Sequence, residues 1–141
     1  MRIGIVGSEA AKFTSETEAV AREMIQDLIL QERASVVVSG GCHLGGIDAW
    51  AAEEAAKMGV DVIEHLPKVT AWEGYKARNI LIAEDSDTVY CITVRELPPN
   101  YTGMRFKLCY HCGTADHVKS GGCWTTKYAR SLGKPARTLV I

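Results

Sequence analysis

Apolar runs and amphipathic stretches alternate along the whole chain. The apolar runs predict five β-strands, at residues 2–6, 35–39, 60–63, 88–94 and 136–141. The stretch at residues 15–31 repeats its apolar positions at helical spacing, which predicts a helix, and further helices are expected between the later strands at residues 47–58, 75–84 and 125–132. The chain is therefore expected to alternate strand and helix throughout.

Local signals mark the ends of these helices. Ser15 and Glu18 have the spacing of a capping box, so the first helix is expected to begin there. Gly59 and Gly133 follow two helices at the position that a left-handed C-cap needs. Because helices connect the strands, the crossovers should be right-handed and the strands parallel. The fold class predicted is α/β, a doubly wound parallel five-stranded sheet.

The densest cluster of glycines follows the second predicted strand. Val36, Val37 and Val38 suit a strand that is covered on both faces. The turn that follows contains Gly40, Gly41, Gly45 and Gly46. Glycines let backbone N–H groups approach a ligand closely, and the next helix directs its positive N-terminus at the same point. This arrangement predicts an anion site, and phosphate is the usual anion.

Two further loops are expected to reach the same crevice. Gly7 and Ser8 follow the first strand, and Gly121, Gly122 and Thr125 lie just before or within the last helix. The carboxyl ends of parallel strands share one edge of the sheet, so these loops should converge beside the first strand. We therefore predict a phosphate or nucleotide ligand there, with Trp124 as the candidate for stacking on a base, judged by its position alone.

Composition narrows the class of protein. The 141 residues fit one domain, 1–141, with 47% hydrophobic residues and a net charge of −1. There is no broad basic field, so nucleic acid is not an expected partner, and no apolar run has the length of a membrane span. The chain begins on a strand rather than a signal peptide, so we expect a cytoplasmic protein with reduced thiols.

An irregular insertion at residues 95–123 carries a metal-like set of side chains. The set is Cys109, Cys112, His117 and Cys123. A Cys-x2-Cys knuckle followed by Gly113 is typical of zinc sites, so we predict a structural zinc ion. His111 could replace His117, and Cys42 with His43 could complete the shell from the crevice loop.

Three motifs in order carry a family resemblance. They are SGGCHLGGID (39–48), RN (78–79) with IAEDSD (82–87), and SGGCWTT (120–126) with GKP (133–135). They resemble the glycine loop, the arginine helix and the second glycine loop of the DNA-processing protein A and Lonely Guy (DprA/LOG, SLOG) superfamily. The resemblance covers nearly the whole chain outside the insertion. It implies a Rossmann-like fold, a nucleotide or nucleotide-derived phosphate ligand, and a homo-oligomer, most simply a dimer.

Charged residues near these motifs are candidates for ligand contact. The planar guanidinium of Arg78 suits phosphate, although Glu84 or Asp85 could pair with it instead. Asp48 could stabilise the positive end of its helix or bind a ribose hydroxyl. Glu9, after the first strand, is a solvated turn residue or an acid–base group.

The resemblance also separates two kinds of function. Related phosphoribohydrolases carry a catalytic glutamate at the position that Tyr128 occupies here. Tyrosine cannot act as a carboxylate base, so a binding or carrier module is favoured. The alternative is a hydrolase or transferase acting at a glycosidic bond, with Glu9 or Asp48 as the substitute acid. A third hypothesis is an accessory protein that binds single-stranded DNA.

Overall fold

The computed structural model describes all 141 residues. The strands are β1 (Arg2–Gly7), β2 (Val36–Ser39), β3 (Asp61–Glu64), β4 (Thr88–Thr93) and β5 (Ala136–Val140). The helices are α1 (Ser15–Gln31), α2 (Ile47–Lys57), α3 (Trp72–Asp85) and α4 (Gly122–Ser131), with a short 3-10 helix at Ala10–Lys12. Each predicted strand and helix is present in the predicted order.

All neighbouring strands pair in parallel, in the order β3-β2-β1-β4-β5. Ile3 of β1 lies opposite Val37 on one side and Thr88 on the other. The chain first adds β2 and β3 on one side of β1, and it then returns to add β4 and β5 on the other side. The fold is thus the predicted α/β doubly wound sheet, and its switch point lies between β1 and β4.

Two apolar layers cover the two faces of this sheet. Ile3 and Ile5 pack on one face with side chains of α1 and α2, including Ile25. Val6 packs on the other face with side chains of α3 and α4, including Ile82. Successive side chains of a strand point to opposite faces, so a central parallel strand needs nearly continuous apolar residues. This requirement explains why apolar runs in the sequence predict the positions of the strands.

Several helix ends differ from their predicted positions. The residue that caps α1 is Thr14, which forms a reciprocal capping box with Thr17. Thr14 Oγ1 accepts a hydrogen bond from the Thr17 backbone N–H at 3.1 Å, and the Thr17 hydroxyl accepts one from the Thr14 backbone N–H at 2.7 Å. The predicted box at Ser15 and Glu18 was therefore wrong by one residue. Both α3 and α4 begin three residues earlier than expected, because Gly74 and Gly122 lie inside their first turns rather than in loops.

Helices α2 and α4 end as predicted. Gly59 has φ of +70° and Gly133 has φ of +79°. Beyond each glycine, a backbone N–H returns to the last turn of the helix, from Val60 to the Ala55 carbonyl at 2.9 Å and in the same way from Lys134. These bonds form the C-terminal cap in which glycine tolerates the left-handed conformation.

The segment between β4 and α4 is irregular, as predicted. It contains only an isolated bridge between Cys109 and Thr114. The segment returns to the sheet at Val118, whose backbone N–H donates to the Val94 carbonyl at 2.8 Å. None of the helices combines the length and the apolar character that a membrane span requires.

A buried carboxylate joins α1 to α2. Glu54 is only 2% exposed and accepts hydrogen bonds from Arg22 at 2.8 Å, Gln26 at 2.6 Å and Lys57 at 3.1 Å. Burial alone would raise its pKa, but these three donors favour the charged form and together hold the pKa of Glu54 below its ordinary value. The ionised form is therefore the one that stabilises the fold.

This network predicts a pH-dependent loss of stability. A lowered pKa stabilises the fold above about pH 4.5, the ordinary value, and that stability is lost as pH falls through the folded-state pKa. Glu54→Gln should lower the free energy of unfolding at pH 7 by about 1–3 kcal/mol and flatten its decrease toward acid pH. Urea unfolding from pH 7 to pH 3 measures both. Glu53→Gln is the matched control, since Glu53 contacts the same Arg22 from an exposed position; equal effects of the two substitutions would contradict the prediction.

Candidate ligand cleft and metal centre

A cleft of about 260 Å³ opens at the carboxyl edge of the sheet, next to the switch point. Its wall consists of the end of β1 with the loop after it, the glycine-rich turn at Cys42 and Leu44, the start of α2, the first half of α3 and the end of the insertion. The predicted site residues that line the cleft are Gly7, Ser8, Asp48, Arg78, Gly121 and Gly122. The three predicted loops therefore do converge.

The first two glycines of the glycine-rich turn lie behind this wall. A Cβ atom on Gly40 would lie 2.8 Å from Cδ of Arg78, so the absence of a side chain makes room for that guanidinium. A Cβ atom on Gly41 would meet the side chain of Leu66, on the loop after β3. These glycines support the cleft without lining it.

The other predicted positions also lie outside the lining. Gly45 and Gly46 have φ of +70° and +88°, and a Cβ atom on Gly46 would lie 2.6 Å from the backbone nitrogen of Ala10. These glycines bring the start of α2 against the loop that follows β1. Thr125 is fully buried in α4, and its hydroxyl has no hydrogen-bond partner.

Asp48 and Arg78 form a loose, buried pair inside the cleft. Asp48 Oδ2 lies 3.6 Å from Arg78 Nη1, and the two residues are 7% and 8% exposed. Arg78 Nε donates to Asn79 Oδ1 at 2.9 Å, but Asp48 Oδ1 and Arg78 Nη1 have no hydrogen-bond partner. Asp85, one of the alternative partners for Arg78, pairs with His65 instead. Two buried polar atoms at the cleft are thus left with hydrogen-bonding capacity.

The carboxyl of Asp48 is close to neutralisation at physiological pH. Burial raises its pKa to about 7; Arg78 opposes this increase, and Glu64 adds to it. A group that titrates near neutrality can either accept a hydrogen bond as the carboxylate or donate one as the acid. Asp48 can therefore contact either a hydroxyl or an anionic oxygen.

Two lysines that were not singled out from the sequence extend the positive wall of the cleft. Lys12 and Lys119 both line it, and Lys12 Nζ donates to the Lys119 carbonyl at 2.9 Å. Burial lowers the pKa of Lys12, and the neighbouring Glu9 partly offsets this effect. With Arg78, three cationic side chains thus line a cleft that contains two carboxyl groups.

The exposed aromatic ring at the cleft is Trp72 rather than Trp124. Trp72 lines the cleft and is 48% exposed. The Trp124 ring contacts Trp72 in an edge arrangement, with centroids 5.6 Å apart, and stacks on Tyr128 at 5.4 Å. Trp124 therefore supports Trp72 from behind, and Tyr128 lies outside the cleft lining.

The four predicted metal ligands come together in the insertion. The ligand atoms of Cys109, Cys112, His117 and Cys123 all lie within 4.8 Å of one another. Metal–ligand bonds of about 2.0–2.3 Å in a tetrahedron place neighbouring ligand atoms about 3.3–3.8 Å apart. Only small movements separate the two arrangements, so this Cys3His cluster could bind a metal ion.

Local geometry supports the cluster from both sides. Gly113 has φ of +72° and donates its N–H to the Cys109 carbonyl at 2.7 Å, which is the turn predicted for a knuckle. The Nδ1 atom of His117 pairs with Asp116 Oδ1 at 2.8 Å, which leaves Nε2 at 3.6 Å from Cys123 Sγ. A carboxylate behind a histidine is typical of metal-ligating imidazoles.

The alternative ligands lie elsewhere. The His111 ring packs on Tyr110, with centroids 4.5 Å apart, and Cys42 lines the cleft. Neither they nor His43 belong to the cluster. Burial and the neighbouring thiols raise the pKa of Cys112 to about 12. A bound dication would reverse this effect, because it stabilises thiolates.

No family model and no curated protein sequence matches the chain. Solved structures share its fold, and they include a cofactor carrier protein and a DNA-processing protein. The molybdenum cofactor carrier protein from Chlamydomonas reinhardtii is 17% identical, with a TM-score of 0.63 over 99% of this chain and 77% of that one. DNA-processing protein A from Streptococcus pneumoniae is 19% identical, with a TM-score of 0.61 over 97% of this chain. The chain shares its fold with both proteins, one of which is the DNA-processing protein A of the predicted resemblance. The resemblance is confirmed at the level of fold, and this chain spans about half (49%) of the streptococcal protein.

The buried pair predicts an unusual titration. Asp48 should titrate near pH 7, and Arg78→Gln should raise its pKa further, because Arg78 opposes the effect of burial. The carboxyl carbon-13 shift, followed against pH and assigned with Asp48→Asn, measures both values. Backbone amide spectra would verify that the variants fold. Titration near pH 4 in the wild-type protein would show that this carboxyl is hydrated.

Proposed function

We propose that this chain is a binding or carrier module for a nucleotide or nucleotide-derived phosphate ligand held in the cleft. The observation that carries the proposal is the pair of unsatisfied buried atoms, Asp48 Oδ1 and Arg78 Nη1. A buried polar atom without a partner costs about 1–3 kcal/mol. A phosphate oxygen would accept from Arg78, and a ribose hydroxyl would donate to Asp48. A sugar phosphate supplies both groups.

The charge of the cleft favours an anion. Lys12 and Lys119 add to the charge of Arg78, and the N-terminus of α2 contributes its partial positive charge. Gly121 leaves open space at the cleft wall, where a ligand can approach the backbone. Trp72 offers an exposed aromatic ring on which a planar base could stack.

The structural neighbours agree with a binding role. One is a carrier protein for a cofactor, which supports a module that holds a small molecule. The other is a DNA-processing protein, but it is about twice as long as this chain. The net charge of −1 does not favour DNA as the ligand here.

A hydrolase or transferase acting at the glycosidic bond is the second candidate. Glu9 lines the cleft together with Asp48, and the Tyr101 hydroxyl donates to Glu9 Oε1 at 3.4 Å. Two carboxyl groups at one cleft can serve as acid and base. An assay for release of free base from nucleoside monophosphates separates the two hypotheses, since a carrier leaves the nucleotide intact.

We further propose that the metal of the Cys3His cluster is zinc in a structural role. Three thiols and one imidazole within a closed shell form a common set of ligands for structural zinc. The homo-oligomer implied by the resemblance stays a prediction, which light scattering can test.

Gly121→Val tests the cleft. Gly121 has ordinary helical dihedrals, φ −63° and ψ −24°, and no atom lies within 4 Å of its Cβ position. Valine should therefore fit without strain and occupy ligand space. We expect at least about tenfold weaker binding of AMP, measured by calorimetry, which corresponds to about 1.4 kcal/mol. Ser131→Val, at the exposed far end of α4, is the control. Unchanged affinity in a folded Gly121→Val protein would exclude this site.

Metal analysis tests the cluster. Protein purified without chelator should contain about one zinc ion per chain. Cys109→Ser should lose the metal and a large part of the order of the insertion, whereas Cys42→Ser should keep the metal, because Cys42 is not in the cluster. Elemental analysis gives the stoichiometry. Metal-free wild-type protein, or retention of zinc by Cys109→Ser, would contradict the assignment.

A further inference from the structure

We propose that the metal bound by the Cys3His cluster controls the ligand cleft by fixing the conformation of the loop at residues 118–122, which leads into the second glycine motif. This inference rests on the proposed function, since it concerns regulation of the same cleft. It assigns the cluster a role beyond holding the insertion together.

The loop lies directly between two metal ligands. His117 precedes it and Cys123 follows it, and His117 Nε2 lies 3.6 Å from Cys123 Sγ. Within these five residues, Lys119, Gly121 and Gly122 all line the cleft. An ion bound to both flanking side chains therefore fixes the two ends of a segment that forms part of the ligand site.

The sheet holds one end of the loop without help from the metal. The Val118 N–H donates to the Val94 carbonyl at 2.8 Å, and the Thr93 hydroxyl donates to the Val118 carbonyl at 3.0 Å. The side chain of Lys119 is held differently. Its Nζ lies 5.2 Å from the ring centroids of both Phe106 and Tyr110, which belong to the insertion. Such cation–π contacts set the position of the ammonium group.

Those two rings depend on the cluster for their own position. Phe106 is 44% exposed and Tyr110 is 55% exposed, so packing against the sheet does not hold them. Tyr110 lies between Cys109 and Cys112 of the knuckle. Loss of the ion would release the knuckle, then the rings, and then the cation that they hold at the cleft. The presence or absence of the metal should therefore change the position of the Lys119 ammonium group, through contacts within the insertion.

The coupling should be reciprocal. If the metal raises the affinity of the cleft for a ligand, the ligand raises the affinity for the metal by the same factor, and such factors are commonly about 5–150. Cys112 is the exposed member of the cluster, so a chelator in solution can reach this site. The cleft can thus respond to the availability of the metal.

The experiment compares the full-length protein loaded with one zinc ion, the same protein after chelation, and the protein after zinc is restored. Hydrogen exchange followed by mass spectrometry reports on residues 118–122 without any ligand. Calorimetry with AMP and with inorganic phosphate reports on the cleft. We expect faster exchange in the loop and at least about fivefold weaker AMP binding after chelation, both restored by zinc, with exchange of β1 and β4 unchanged.

Two variants sharpen the test. Cys112→Ser should show the behaviour of the chelated protein in the presence of zinc. His43→Ala is the matched control, since it removes an exposed metal-type side chain that belongs neither to the cluster nor to the cleft lining, and it should retain the zinc response. Equal exchange of residues 118–122 in the loaded and chelated proteins would overturn the proposal, as would equal affinity for AMP. If the loaded protein binds neither AMP nor phosphate while the loop still responds to zinc, the proposed function fails and control of the cleft fails with it, whereas the effect of the metal on the loop stands.

Discussion

The close approach of backbone segments at the carboxyl edge of the sheet is the constraint on which the rest of the site depends. A Cβ atom on Gly46 would lie 2.6 Å from the backbone nitrogen of Ala10. A Cβ atom on Gly122 would lie 2.7 Å from Cys91 Sγ and 3.0 Å from the Gly7 nitrogen. Real Cβ atoms essentially never lie closer than 3.0 Å to such neighbours. Helices α2 and α4 can therefore begin beside β1 only if Gly46 and Gly122 carry no side chain. That contact brings Asp48 and Gly121 to the same cleft.

The fold was predictable because its signals are local and repeated. Strands buried on both faces require continuous apolar residues, and the caps at Gly59 and Gly133 require a left-handed residue. The metal cluster was predictable for a similar reason, since its four ligands lie within a short segment. Gly122 was placed in a loop from the sequence, whereas packing rather than chain reversal requires a glycine at this position. Gly74 and Gly122 lie inside helices, and a Cβ atom on either would meet neighbouring atoms.

The cleft itself was only partly predictable, because its members come together through tertiary structure. Lys12 and Lys119 belong to no glycine motif, although Lys119 adjoins the second glycine loop. The carboxylate beside Arg78 is the sequence-distant Asp48, whereas the nearby Asp85 is occupied by His65. Local pattern gives no information on which of two carboxylates a buried guanidinium will meet.

The hydrogen bond between Val94 and Val118 has a consequence for how this scaffold can change. The irregular segment departs from and rejoins the sheet at two residues whose backbone atoms are 2.8 Å apart. The entropy of closing such a loop grows only with the logarithm of its length. Peptides of many lengths can therefore be spliced between these two anchor points while the strand order is kept. Three of the four metal ligands lie between these anchors, so a doubly wound domain with the same two anchor points, and with a cysteine at the place of Cys123 in α4, is a recipient into which the metal site could be grafted.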